Sequence, residues 1–312
     1  MAAFLTGRLL QTVPVLLGVS VLVFLILHLT PGNPALFVAG PDAPPDVVRD
    51  IERSLGLDQP LYVQYARYMD RLVHGDMGRS IQAHDPVLDH LTATFPVTLA
   101  LATVGVVYTI LVSVPTGILA AYRRNSTLDL ATIFAVLAGN AMPVFAIGLI
   151  LLYIFAVDLR WLPLTGYRSL LTFDGWRHIA LPAITVSSGV TPLLTRITRS
   201  SMLEVLNQDY VRSARAKGVR ETAVLIRHGF RNALLPVITV IGLQFGLLLS
   251  GAVITESIFS LPGMGRLVVQ AIQARDFPVV QGVVLFFSLT FVVISILVDL
   301  AYAAVDPRIR YG

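Results

Sequence analysis

No cysteine occurs in the 312 residues, so disulfides, thiolate nucleophiles and Cys-ligated metals are excluded. Lys217 is the only lysine, and with no GxxxxGK[ST] run the chain cannot cradle nucleotide phosphates in a P-loop. HExxH and GxSxG are missing as well, which removes two hydrolytic constellations. No catalytic residue is expected. Charge is scarce too: 13% of residues are charged and 55% are hydrophobic. A soluble domain of that composition would expose large apolar patches and aggregate, so the chain reads as a polytopic membrane protein in contact with lipid. Its net charge of +4 then bears on membrane orientation rather than on nucleic acid, and no nucleic-acid partner is expected. The six histidines (His28, His74, His84, His90, His178 and His228) form no ligand-spaced pairs. No metal site is expected, although His74, His84 and His90 share one polar segment where nickel could bind.

What is present is a series of long apolar runs. A helix needs about 20 mostly apolar residues to cross the hydrocarbon. Runs of that kind are Leu9–Leu29, Phe95–Tyr122, Leu130–Val157, Ile179–Thr195, Leu234–Thr255 and Val279–Ala304. The expected fold is therefore all-α with six transmembrane helices. The fourth run is short and rich in Ser, Thr, Gly and Pro. Prolines 14, 115, 143, 182 and 192 fall inside or at the rims of these helices, where neighbouring helices are expected to absorb the lost hydrogen bonds. The N-terminal run lacks a small-residue cleavage site and reads as a retained first span.

Orientation follows from the basic residues. With the N-terminus inside, the cytoplasmic segments hold 13 Lys and Arg against 10 outside. The longest outside segment offsets its five Arg with nine Asp or Glu, and long segments cross largely regardless of charge. The short connections carry the bias and put both termini in the cytoplasm. Thr30 to Thr94 is a polar insertion, broken by prolines at its start and helical in pattern from Asp46 onwards. It reads as a small external cap of two or three short helices, either a lid or a docking surface. The chain divides accordingly into residues 1–94, the first span with this segment, and a five-span core at 95–312.

Between the fourth and fifth spans, Asp209–Pro236 (DYVRSARAKGVRETAVLIRHGFRNALLP) is basic and helix-compatible. Eight basic residues lie between Arg196 and Arg231. Ala214 and Gly218 are four apart, so a smooth face could admit a partner's backbone. Gly218 also suits a helix end, because glycine adopts the left-handed conformation at low cost. A second helix is expected from Glu221 to Arg231, with acid first and base last as the helix dipole favours. The segment reads as a docking element of two helices about a glycine bend. Elsewhere, ionisable groups near the membrane are Glu256, after the fifth span, and Asp299, inside the sixth. They read either as substrate or proton contacts or as rim and interhelical partners. Gly242, Gly246, Gly251 and Ser250 form a small-residue strip that packs helices or lines a pathway. Gln244, Ser250, Glu256 and Asp299 are the candidate pathway residues.

The docking segment is similar to the EAA loop of bacterial ABC-importer permeases, with Arg212-Ser213-Ala214 at the Glu-Ala-Ala triplet and Gly218 at the glycine. Arginine replaces the acidic residue, and His228-Gly229-Phe230-Arg231 stands where Ile-x-Leu-Pro is usual. ARAKG and RNALLP are the forms typical of the dipeptide/oligopeptide/nickel permease family. LTPGNP, LGLDQPLYVQY, HGDMGRS, SIFSLPGMGRL and the terminal DPRIRYG resemble that family too. The resemblance implies a type I importer permease in the bacterial inner membrane, with no cofactor of its own. Its implied partners are a second similar permease, two ABC ATPase subunits carrying ATP and Mg, and an external substrate-binding protein. It also implies that Arg212, Ser213, Ala214, Arg215, Ala216, Lys217, Gly218 and Arg231, within a coupling loop at about 203–236, meet the ATPase. Peptides are the leading substrates, with glutathione or nickel chelates as alternatives. A self-contained secondary carrier is the competing class, but it should show internal repeats and midplane charges, and neither is evident.

Overall fold

The structure is a computed structural model that describes residues 2–29, 35–36, 40 and 43–305, without the side chains of residues 2–9, 27–29, 54–55, 247, 250–251 and 301–305. Of the motif stretches above, Thr30–Pro34 and Asp306–Gly312 lie outside the described residues. In chain order the helices are α1 (Ala2–Leu29), α2 (Pro45–Leu55), α3 (Leu61–Val73), α4 (Val87–Tyr122), α5 (Thr127–Ala141) and α6 (Val144–Leu152). A π-helical turn, Tyr153–Asp158, prolongs α6, and α7 (Phe173–Ser187), α8 (Thr191–Leu206) and α9 (Asp209–Ala216) follow. The short α10 (Glu221–Ala223) passes through a second π-helical stretch, Val224–Phe230, into α11 (Arg231–Ile258), and α12 (Met264–Gln273) and α13 (Phe277–Val305) complete the chain.

By length and apolar composition, three stretches qualify as continuous spans among the described residues: Val87–Tyr122, Glu221–Gly246 and Phe277–Leu300. Two bent helix pairs raise the number to five, and α1 adds the shorter apolar stretch Leu10–Ile26. The third and fourth apolar runs are not the straight helices expected from sequence. Pro143 has no N–H and forces Met142 to extended backbone (φ −98°, ψ 131°), so α5 stops and α6 restarts at 101° to it. In the other pair, α7 ends at Ser187 and α8 begins afresh with Pro192 in its first turn, where the missing N–H loses nothing; the legs differ by 62°. Pro14 and Pro182 remain inside continuous helices, as expected, and Pro236 does so as well.

The chain forms two compact units, residues 1–96 with 266–292, and residues 97–265 with 293–312. In the first, α3 lies on α1. Tyr65 and Ser20 share a hydroxyl hydrogen bond of 2.8 Å, and Phe24 meets the Tyr65 ring edge-on at 5.4 Å. Tyr68 is buried beside Phe24, and burial pushes its phenol above the ordinary value. The 78–87 segment is fixed by Asp276, which accepts from the Ser80 hydroxyl at 2.5 Å and the Ile81 N–H at 3.1 Å. In the second unit the core gathers Leu101, Ile179, Leu181, Leu248, Leu249, Phe259 and Leu261. The two helix breaks of this unit interlock. A Cβ on Gly139 would lie 2.8 Å from the Pro192 ring, and one on Gly189 would lie 3.2 Å from Val144. At Gly139 a side chain would force these legs apart, whereas at Gly189 Val144 would have to give by a few tenths of an ångström.

Candidate functional site

The cationic segment forms a short helix, a left-handed turn and a second helix. After α9 the N–H of Val219 bonds to the Ala214 carbonyl at 3.3 Å and that of Gly218 to the Arg215 carbonyl at 2.9 Å. This is a Schellman cap, and Gly218 occupies its left-handed position with φ +73°. The accompanying apolar contact is present as well, since Val219 packs on the cluster of Val211, Ala214 and Val224. Arg215 bridges the turn to Glu221, its Nη2 donating to Oε1 at 2.8 Å. The Glu221 carboxylate holds the Arg215 guanidinium further toward its charged form. Both side chains are over a third exposed, so the bridge orients more than it stabilises. Asn232 donates to both the Tyr210 hydroxyl and the His228 carbonyl, fastening α9 to the π-helical stretch.

The second helix is not the separate Glu221–Arg231 element of the sequence reading. It runs through the π-helical stretch into α11, so the turn joins directly to a span. Ala214 also differs from expectation, being buried against Val211 and Val224 rather than offered outward with Gly218. The exposed surface consists instead of Arg212, Ser213, Arg215, Ala216, Lys217 and Gly218, with Arg220, Arg227 and Arg231 nearby. A signal for this was legible in the segment: Val211, Ala214 and Val219 recur on one side, whereas small size alone does not distinguish an inward from an outward alanine.

The described candidate pathway residues fall in different surroundings. Gln244 lines a small pocket of apolar surface with Val106, Thr109, Val190, Leu194, Ile241 and Leu248. Val190 belongs to the α7–α8 break, so that break forms one wall. Hydroxyls saturate the backbone freed there. Thr191 donates to the Ser187 carbonyl at 2.9 Å, and Ser188 to that of Thr185 at 2.6 Å. Glu256 lies elsewhere, fully buried, and accepts from the Thr98 hydroxyl at 2.7 Å. The same hydroxyl accepts from the Met264 N–H at 2.8 Å, and a Cβ on Gly263 would collide with the carboxylate. Glu256 thus organises the turn into α12 rather than standing at an exposed rim. Asp299 is half-buried in α13 and is not among the residues that line the pocket. Ser250 is in α11, but its side chain lies outside the described residues. No group of three or more metal-binding side chains occurs among the described residues.

Comparison with known proteins agrees with this architecture. The family described as "Binding-protein-dependent transport system inner membrane component" matches residues 113–311, and its N-terminal counterpart matches residues 1–102. The glutathione transport system permease protein GsiC of Salmonella paratyphi A is 45% identical over 311 residues, covering 100% of both chains. Its Escherichia coli counterpart is 43% identical over the same length. Among solved structures, the inward-facing MetNI methionine ABC transporter superposes with a TM-score of 0.58 at 15% identity, over 70% of this chain and 97% of that one. That likeness concerns the fold alone. The family match sets aside the self-contained carrier. The chain belongs to the binding-protein-dependent transport system inner-membrane components and is a non-catalytic, multi-pass permease subunit of a bacterial ABC importer.

Proposed function

We propose that this permease imports small peptides, with glutathione, itself a tripeptide, the first substrate to test. The observation that carries the substrate reading is the full-length 45% identity to a glutathione permease. In this reading the chain pairs with a second, similar permease, two ATPase subunits that hold ATP and Mg, and one external binding protein. Lipid or that second permease covers α13, whose apolar window is only 6% buried within the chain. Both termini face the cytoplasm, as does the cationic turn, and Arg212, Ser213, Arg215, Ala216, Lys217, Gly218 and Arg231 meet the ATPase. Ala214 supports that surface from beneath. Gln244 and the pocket around it border the substrate path.

The docking reading rests on a rigid, capped turn joined directly to a span, since a lever must carry displacement without folding up. The ATPase must also bind it differently in its two nucleotide states, because only a differential interaction shifts an equilibrium. The experiment is uptake by proteoliposomes containing the permease pair and ATPases, supplied with the binding protein. Radiolabelled glutathione, di- and tripeptides and a nickel chelate are offered in turn. ATP-dependent accumulation of glutathione or peptide is expected, and uptake of the nickel chelate alone would overturn the substrate reading.

A further inference from the structure

The polar groups not yet accounted for include a little-exposed ion pair, Asp129 with Arg199. Arg199 Nε donates to Asp129 Oδ1 at 2.6 Å and Nη2 to Oδ2 at 2.8 Å, a two-pronged contact with directional specificity. The Asn125 N–H adds a bond of 3.0 Å to Oδ2, and the Ser126 hydroxyl caps α5 by accepting from the Asp129 N–H. The carboxylate is therefore fixed to the first turn of α5, and the guanidinium to the middle of α8.

Helix α5 has little else to hold it. Its buried side chains are Asp129 and Thr132, both polar. Its large apolar residues Leu130, Ile133, Phe134 and Leu137 are exposed, in keeping with lipid contact. Hydrophobic packing thus does not fix the orientation of this leg. Two attachments to α8 do: the ion pair at its start and the Gly139–Pro192 contact near its end. A buried pair is weak evidence for stability, because desolvation offsets its attraction, but it specifies geometry well.

Helix α8 is connected at both ends. Asn207 and Gln208 alone separate it from α9, and Val190 and Leu194 at its start wall the Gln244 pocket. We propose that the Asp129–Arg199 pair makes α5 follow α8, so that displacement of α9 reaches both helix breaks together. Asp129 and Arg199 are then positioning residues for coupled transport. The inference rests on the reading that α9 meets the ATPase, and its test separates the two.

The test uses the full complex in proteoliposomes with binding protein, carrying Asp129→Asn, Arg199→Lys or the exchange Asp129→Arg with Arg199→Asp. ATPase co-purification, ATP hydrolysis and substrate moved per ATP are measured. Asp129→Asn should keep the ATPase bound and hydrolysing while transport per ATP falls about tenfold, within the usual range of coupling between sites. Arg199→Lys, which keeps the charge but loses the fork, should fall between, and the exchange should recover part of the loss. Unchanged transport per ATP in Asp129→Asn overturns the linkage, as does a parallel loss of hydrolysis and transport that the exchange does not repair. A Ser213→Cys crosslink to the ATPase, made in the otherwise native complex, tests the docking reading separately. A crosslink beside full transport by Asp129→Asn overturns the linkage alone, whereas no crosslink overturns the docking on which it rests.

Discussion

Gly218 offers the sharpest perturbation, because the structure separates two effects that a substitution there could have. Its φ of +73° lies in the left-handed region, yet an added Cβ would find nothing within 4 Å. Within the chain the penalty is therefore backbone strain alone, roughly 1–2 kcal/mol for an ordinary L-residue. If the capped turn is the docking-competent state, that penalty lowers its population by roughly 5- to 30-fold in the marginal limit, each 1.4 kcal/mol being a factor of ten. Asparagine tolerates the left-handed conformation and should lose least, alanine and leucine should lose similar amounts, and β-branched valine most. The assay is transport by reconstituted complexes carrying each variant, normalised to co-purified ATPase. Alanine at the native rate would refute the strain argument. Leucine far worse than alanine would show that an ATPase surface fills the space beside Gly218, so that steric closeness rather than backbone conformation decides.

Because the chain has no native cysteine, sidedness can be read without background. Asp58→Cys should react with an impermeant thiol reagent in intact cells and Arg220→Cys only after permeabilisation, and the reverse pattern would invert the orientation. Thr98→Val removes the donor to the buried Glu256 carboxylate and the acceptor of the Met264 N–H. It should cost about 1–3 kcal/mol, seen as a lower melting temperature of the solubilised complex; an unchanged melting temperature would contradict the role given to this knot. Gln244→Leu should slow peptide transport severalfold while ATP hydrolysis continues, and native transport would remove Gln244 from the path. Calorimetry on the permease–ATPase complex without binding protein should show only weak binding of glutathione and di- to tetrapeptides. Micromolar binding lost on Glu256→Gln or Asp299→Asn would reveal a selective site in the membrane.

The apolar runs located most helices, because about 20 apolar residues can only be a span in a chain so poor in charge. The capped turn was equally legible, since glycine is the residue that ends a helix left-handed. The breaks at Met142–Pro143 and Ser188–Val190 were not read. Proline in a span can be absorbed or can break the helix, and the outcome depends on what packs beside it. Pro182 and Pro236 sit inside continuous helices, whereas Pro143 divides one. The same limit applies to Asp129 and Arg199, which lie 70 positions apart. In sequence each is one charge near a helix end, and only the fold pairs them. Glu256 was recognised as an unusual charge, but its burial against Thr98 depends on tertiary packing.

The uncharged character of the pocket bears on where an importer of this kind can be selective. A zwitterionic peptide held tightly needs desolvated partners for both termini, or it loses more hydration than it gains. Around the pocket, Val106, Val190, Leu194, Ile241 and Leu248 supply apolar walls; Thr109 and Gln244 also line it, but its exposed surface is apolar. Neither side chain carries a charge. Glu256 cannot be lent to a substrate without loosening the turn into α12, because Thr98 and the neighbouring glycines enclose it. On the reading that this pocket borders the substrate path, discrimination falls to the external binding protein, and the permease–ATPase complex alone should bind peptides only weakly.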